Sequence, residues 1–308
     1  MLVQRLSRIT LAPTSDTPRK PTMSTLSSRR FLQILGLAAA GLLLAACGKK
    51  EEAAPAAPAA ASAPAPAPAK VYAVGTDAAY APFESQNEKG EIVGFDIEVV
   101  QAVAKKAGIE VKFINTPWEG IFKTLEQGDR DMVVSAVTIT EERKGTMDFS
   151  DPYFDAQQLI AIKEGSKVTK FADLKKLKVG VQTGTTGMEV VEKLQGKTSA
   201  NIKRFESTPL ALKELEAGGV DAVVADNGVV INYVTNNPGG KFKSIADKEF
   251  VPEQYGIAVK KGNTELLAKI NKGLAEIKAD GTYDQIFTKY FGAPPAKAAA
   301  APASAASK

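Results

Sequence analysis

The sequence predicts an α/β protein of two similar lobes joined by a two-stranded hinge. Three observations carry that expectation. Between residues 70 and 292, short β-branched runs alternate with amphipathic helical patterns, as βα units require. A passage ending in a strand, Leu125-Glu126-Gln127-Gly128-Asp129-Arg130-Asp131-Met132-Val133-Val134, recurs ninety residues later as Leu215-Glu216-Ala217-Gly218-Gly219-Val220-Asp221-Ala222-Val223-Val224. Two apolar runs, Gln158-Leu159-Ile160-Ala161-Ile162 and Tyr255-Gly256-Ile257-Ala258-Val259, flank the second series. They are expected to be the strands by which the chain leaves the first lobe and returns.

In order, the first lobe opens with a strand over 71–75. Asp96 then caps a helix whose apolar face is Val99, Val100, Val103, Ala104 and Ala107, stopped by Gly108. A strand over 110–114, a helix over 119–127 and a strand over 132–134 complete it. The second lobe reads as strand 178–181, helix 186–194, strand 202–205, helix 209–217, strand 222–225 and a helix through Tyr233. Helices over 265–279 and 283–291 fold back onto the first lobe. Lobe 1 is thus 70–162 with 255–292, and lobe 2 is 163–254, each large enough for its own core.

The two ends of the chain read differently. Arg29 and Arg30 precede the apolar run FLQILGLAAAGLLLAAC, so residues 1–46 form a secretory signal, with Met23 giving an n-region of ordinary length. The run is short for a membrane span of about 20 residues. Ser28-Arg29-Arg30-Phe31-Leu32 resembles a twin-arginine export motif, although the aromatic falls one place early and Gln33 stands where an apolar residue belongs. Leu44-Ala45-Ala46-Cys47 resembles the lipobox of bacterial lipoproteins, which implies cleavage before Cys47 and a lipid on its thiol. Residues 47–69 are an Ala/Pro-rich spacer between the membrane and the folded body, and 293–308 repeat that composition as a disordered tail.

Composition removes several function classes. With no His and one Cys there is no His-based triad, intramolecular disulfide or zinc ribbon. No cofactor or metal is expected. The net charge of +4 is interleaved along the chain, which argues against nucleic acid as a partner.

The stretch 135–154, SAVTITEERKGTMDFSDPYF, concentrates the polar chemistry. A strand spills into Ser135, Ala136 and Thr138, and Thr138 or Thr140 caps a short helix carrying Arg143 in its first turn. A cation there opposes the helix macrodipole. The placement makes sense if Arg143 reaches away to grip a carboxylate bidentately; pairing with Glu141, Glu142 or Asp148 is the plainer reading. By the internal repeat, Ala136 and Asp226 lie at the carboxyl ends of equivalent strands, the edge where open α/β sheets bind ligands. Asp226 reads equally as the N-cap of the helix that follows. Tyr80 and Trp118 follow strand ends near Asp77, and read either as cleft walls or as core.

Eight motifs in order, GTDAAYAPFE, GFDIEV, TITEER, MDFSDPYF, VGVQTGTT, DAVVADN, QYGIAV and GTYDQIFTKYFG, give residues 71–292 a resemblance to the polar amino-acid-binding proteins of bacterial ABC importers. That resemblance implies the type II periplasmic binding-protein fold, two Rossmann-like lobes about a hinge. It implies that Arg143 grips the ligand α-carboxylate, helped by the amides of Thr138 and of Thr186 after Gly184. The α-ammonium would meet Asp226, the Ala136 carbonyl and the Thr138 hydroxyl. Tyr80 and Trp118 would enclose the side chain, with Asp77 toward its far end and Ser135, Gln182 and Thr183 nearby. An acid between aromatic walls favours a Lys- or Arg-type ligand, then Gln or another polar amino acid. The implied partners are the importer's membrane subunits and a membrane reached through Cys47, for a protein that works as a monomer. The rival reading is a dehydratase-type enzyme on this fold, for which Glu119 beside Trp118 would be the acid or base.

Overall fold

The computed structural model describes residues 70–292. The signal segment, Cys47, the spacer and the tail lie outside the described residues. The first lobe contains β1 (Val71–Thr76), β2 (Ala79–Tyr80), β3 (Glu84–Gln86), β4 (Ile92–Val93), α1 (Phe95–Ala107), β5 (Glu110–Asn115), α2 (Ile121–Gln127), β6 (Met132–Val133), α3 (Glu141–Thr146) and β7 (Met147–Phe149). Next come β8 (Phe154–Ala156), β9 (Gln158–Lys163), a 3-10 turn (Phe171–Lys176), β10 (Val179–Gln182), α4 (Thr186–Gln195), β11 (Ile202–Phe205), α5 (Thr208–Ala217), β12 (Ala222–Asp226) and α6 (Asn227–Asn236). The chain closes with β13 (Phe242–Ile245), β14 (Glu253–Tyr255), β15 (Ala258–Lys260), α7 (Thr264–Ala279) and α8 (Thr282–Phe291).

Two five-stranded sheets share one plan. The first has the order β5-β1-β6-β15-β7, the second β11-β10-β12-β9-β13. In each, three parallel strands are followed by two neighbours that pair antiparallel to them or to each other. The repeated passage maps onto equivalent places, since β6 and β12 are the third parallel strand of their sheets. Each sheet buries its own apolar side chains. Lobe 1 builds its core on α1 and α7 with an aromatic group of Phe83, Phe95, Phe154 and Tyr255; lobe 2 builds on Ile160, Val179, Val181 and Val224.

The hinge lies a few residues away from where the sequence pattern set it. Gln158–Lys163 is not a crossover strand of lobe 1 but an interior strand of the lobe 2 sheet, between β12 and β13. The crossing strands are β8 and β14, which pair antiparallel with Tyr255 opposite Phe154. Lobe 2 therefore begins at about residue 157, not 163. A β-branched run buried on both faces reads the same in a crossover as in a sheet centre, so hydrophobicity could not separate them.

Asp96 also departs from expectation. Gly94 is the N-cap of α1, and Asp96, the second residue of the helix, is fully buried. Its Oδ2 accepts the Ala136 N–H at 2.8 Å and the Tyr153 hydroxyl at 2.7 Å. The three-stranded β2-β3-β4 ribbon and the edge strands β7 and β13 were not foreseen.

Candidate functional site

The carboxyl ends of β1, β6, β10 and β12 face one another across a cleft of about 330 Å³. Its walls are Asp77, Tyr80, Trp118, Ser135, Ala136, Thr138, Arg143, Gln182, Thr185, Thr186 and Asp226. All of these but Thr185 are residues to which the sequence points. Gly184, also expected at the site, contributes its carbonyl. Thr183 is exposed and is not among the lining residues.

Arg143 is the third residue of α3, whose N-cap is Thr140 rather than Thr138: the Thr140 hydroxyl accepts the Arg143 N–H. Its guanidinium donates from Nη1 to the Thr138 carbonyl at 2.8 Å and from Nη2 to the Gly184 carbonyl at 3.2 Å. It thereby reaches from lobe 1 to lobe 2, with its planar head 5.4 Å from the Trp118 ring and 5.2 Å from that of Phe122. The plainer ion pairs do not form. Glu141 pairs with Lys144 and Asp148 with Lys261, and no carboxylate among the described residues pairs with Arg143. Gly184 supplies the left-handed turn (φ 74°) that leads into α4, where Thr185 is the N-cap and Thr186 the first helical residue. The first amides of a helix have no intrahelical acceptor, so this end offers N–H donors and positive potential.

Asp226 ends β12 at the N-cap position of α6, but its side chain makes no capping bond. Instead Oδ1 accepts from the Gln158 amide at 2.5 Å and Oδ2 from the Tyr255 hydroxyl at 2.6 Å. Burial, and then the nearby Glu253 carboxylate, raise its pKa to about 6 against these hydrogen bonds, which favour the ionised form. Tyr80, beside Asp226, is driven far above its ordinary phenol value, by burial first and then by that carboxylate.

Asp77 follows β1, with its backbone N–H held by the Ser135 hydroxyl at 3.1 Å. Burial raises its carboxyl, partly offset by the Trp118 backbone and the Gln182 amide, and no Lys or Arg among the described residues pairs with it. Gln182 is itself fixed from behind: its Oε1 accepts the Thr208 hydroxyl and its Nε2 donates to the Glu206 carbonyl, both at 3.0 Å.

Beneath the floor, Ser135 donates to Glu84 Oε1 at 2.9 Å, and Ala136 holds a left-handed backbone (φ 46°) with its N–H on Asp96. Glu84 and Asp96 are both fully buried and in contact with one another, and no Lys or Arg pairs with either among the described residues. Burial, then the Asp96 charge, pushes Glu84 well above the carboxylate range. Such a pair holds a proton more tightly than two free carboxyls would.

Besides Thr185 and the Gln158 amide, two residues of the returning hinge strand give no site signal in the sequence. Glu253 on β14 accepts the Thr138 hydroxyl at 2.7 Å and the Thr186 hydroxyl at 2.8 Å. Tyr255 on the same strand reaches Asp226. Glu119, which an enzymatic reading would enlist, is exposed and outside the cleft wall. Among the described residues, no group of three or more Cys, Asp or Glu side chains could hold a metal ion.

Two α/β lobes on a two-stranded hinge, with a polar cleft at facing strand ends, define a solute-binding protein of the type II periplasmic fold. The chain belongs to the bacterial extracellular solute-binding proteins, family 3, whose model matches residues 72–293. It is 45% identical to the probable histidine-binding protein of Neisseria gonorrhoeae over 258 residues, 83% of this chain and 93% of that one. Among solved structures it resembles the arginine-, lysine-, histidine-binding protein ArtJ of Geobacillus stearothermophilus, at 47% identity and TM-score 0.71, covering 74% of this chain and 97% of that one. An ancestral arginine-binding protein bound to arginine matches at 46% identity and TM-score 0.69, covering 72% of this chain and 98% of that one. Such relatives bind substrates for transport, and the chain is a binding protein, not an enzyme.

Proposed function

We propose that this protein captures a polar amino acid with a cationic side chain for an ABC importer, closing its lobes around the ligand. The observation that carries the reading is the presence of unpaired opposite chemistries in the wall of one cleft. Arg143, free of any carboxylate among the described residues, stands beside the α4 N-terminus, suited to a carboxylate. Asp77, free of any cation among them, shares the wall with Tyr80 and Trp118, suited to a cation. Asp226 is the second acid of the wall, suited to an α-ammonium. Arginine, lysine or histidine is the favoured ligand class. The solved relatives support this, and glutamine is the second reading because an ancestral arginine-binding protein is also known bound to it.

Closure follows from the division of donors. Lobe 1 offers Arg143, Thr138, Asp77, Tyr80 and Trp118; lobe 2 offers Asp226, Gln182 and the α4 end. Only the closed form makes both sets of bonds, so ligand shifts the population toward it. The importer's membrane subunits would read that shape. Export and a lipid at Cys47 would keep the receptor beside them. Detergent-dependent release from membranes, lost on Cys47→Ala, tests the anchor.

The ligand is tested by thermal unfolding of the protein, freed of carried ligand by refolding, against the twenty amino acids. At about a thousand times Kd a true ligand adds about 4 kcal/mol. Stabilisation by arginine, lysine or histidine supports the reading, stabilisation by glutamine alone moves the specificity, and no stabilisation overturns it.

A further inference from the structure

Glu253 stands behind the cleft wall, half-buried on hinge strand β14, and nothing in its local sequence marks it. The hinge brings it there: β14 runs beside residues 137–139, with the Ile139 N–H on the Gln254 carbonyl and Tyr255 bridged to Thr138. One carboxylate oxygen, Oε2, takes the hydroxyl of Thr138 from lobe 1 and that of Thr186 from lobe 2. The other, Oε1, takes the Gln158 amide at 3.2 Å, and the same amide nitrogen reaches Asp226. A single hinge residue thus gathers groups from both lobes and is linked through the Gln158 amide to the residue placed for an ammonium.

A hydroxyl owns one proton and two lone pairs. Thr138, with its proton given to Glu253, can meet a cleft ligand only as an acceptor. An α-ammonium is a pure donor, so this is the orientation it needs. Thr186 comes from the opposite lobe, so the two bonds to one oxygen are made together only when the lobes are closed.

We propose that Glu253 is a positioning residue of the binding reaction: it fixes the Thr138 hydroxyl as an acceptor for the ligand α-ammonium and, by holding Thr186, ties that recognition to closure. The inference rests on the amino-acid reading above. It makes Glu253 responsible for discrimination at the amino group and leaves the side-chain end of the cleft untouched.

The test is calorimetric titration of wild type and Glu253→Gln with the amino acid identified above and with its analogue lacking the α-amino group. A glutamine cannot accept both hydroxyls and the Gln158 amide at once. The Kd of the amino acid is expected to rise roughly tenfold or more, the loss of one charge-assisted bond, and that of the analogue by much less. The discrimination ratio narrows accordingly. An unchanged ratio, whether both affinities fall together or neither moves, overturns the proposal. Thr186→Val added to Glu253→Gln should cost less than Thr186→Val alone; full additivity overturns the tie to closure. If Glu253→Gln does not fold, Thr138→Val carries the test, with narrowed discrimination expected and unchanged discrimination fatal. A wild-type protein that binds no amino acid instead overturns the functional reading itself, before any variant is compared.

Discussion

The hydroxyl of Tyr255, on the returning hinge strand, donates a 2.6 Å hydrogen bond to the carboxylate of Asp226, at the end of a lobe 2 strand. Both groups are buried. The bond favours the ionised form of an acid that burial and Glu253 hold at about pKa 6. Tyr255→Phe should therefore push the Asp226 pKa higher and weaken amino-acid binding at pH 7 by roughly tenfold, as expected for one bond to a charged group. Calorimetry checks the loss, and an unchanged Kd would sever the hinge from the site.

Asp226 also sets two pH dependences of opposite sign. An ammonium ligand needs the ionised carboxylate, so affinity should fall as pH drops through about 6. The unliganded protein behaves the other way. Its Asp226 pKa is raised above the ordinary 3.8, so the folded state binds the proton more tightly, and that stabilisation is lost as pH rises through about 6. By linkage the difference approaches about 3 kcal/mol. Unfolding and titration at pH 5 and pH 7 should move in opposite directions, and Asp226→Asn should flatten the binding profile and make the stability profile shallower, the Glu84 and Asp96 pair supplying the rest.

Arg143 holds two backbone carbonyls, one from each lobe, and lies against two aromatic rings. Arg143→Lys keeps the charge but loses the planar fork, and should weaken binding by about two orders of magnitude. Arg143→Ala should cost at least as much. Retention of near-normal affinity in the lysine variant would show that the fork is not used on the ligand.

Gly228 opens α6 of lobe 2 directly against Phe83 of lobe 1. A Cβ built there would fall 2.6 Å from the Phe83 ring. Phe83 is fully buried among Phe95, Phe154, Tyr255 and Phe291 and cannot yield. Gly228→Ala should act as a wedge between the lobes, with an overpacking cost of about 1–3 kcal/mol set against closure. Reduced affinity with an enlarged ligand-bound radius in small-angle scattering is the expected outcome.

Beneath Ser135 and Ala136, the Glu84 and Asp96 pair holds a proton that rising pH should remove. The folded pKa of Glu84 is raised, so this stability is present at low pH and lost as pH rises through the folded value. Glu84→Gln supplies a permanent donor in its place. Wild type should lose melting temperature with rising pH faster than the variant does.

Much of this was legible in the sequence, and the exceptions share a cause. The repeated passage around Gly128 and Gly218 showed two lobes because each copy is a local helix-turn-strand whose glycine must adopt a left-handed backbone. Trp118 and Asp226 could be placed because each lies at the carboxyl end of a strand whose period was clear, and Arg143 because a cation in the first turn of a helix opposes its dipole. Gln158–Lys163 was misassigned because apolarity records burial and not which sheet supplies it. Asp96 carried an N-cap signature, yet tertiary contacts to Ala136 and Tyr153 drew its side chain inward. Glu253 gave no local signal, since its partners lie 115 and 67 residues away and meet it only through the hinge.

The hinge pairing has a consequence for measurement. Glu253 and Tyr255 both reach into the binding chemistry, while Gln254 between them is exposed and its side chain bonds across the hinge to Asp155. An environment-sensitive fluorophore on a cysteine at position 254 would sit at the pivot, one residue from the site yet outside it. The protein is in this sense wired as an optical reporter, its fulcrum open to labelling without touching the ligand.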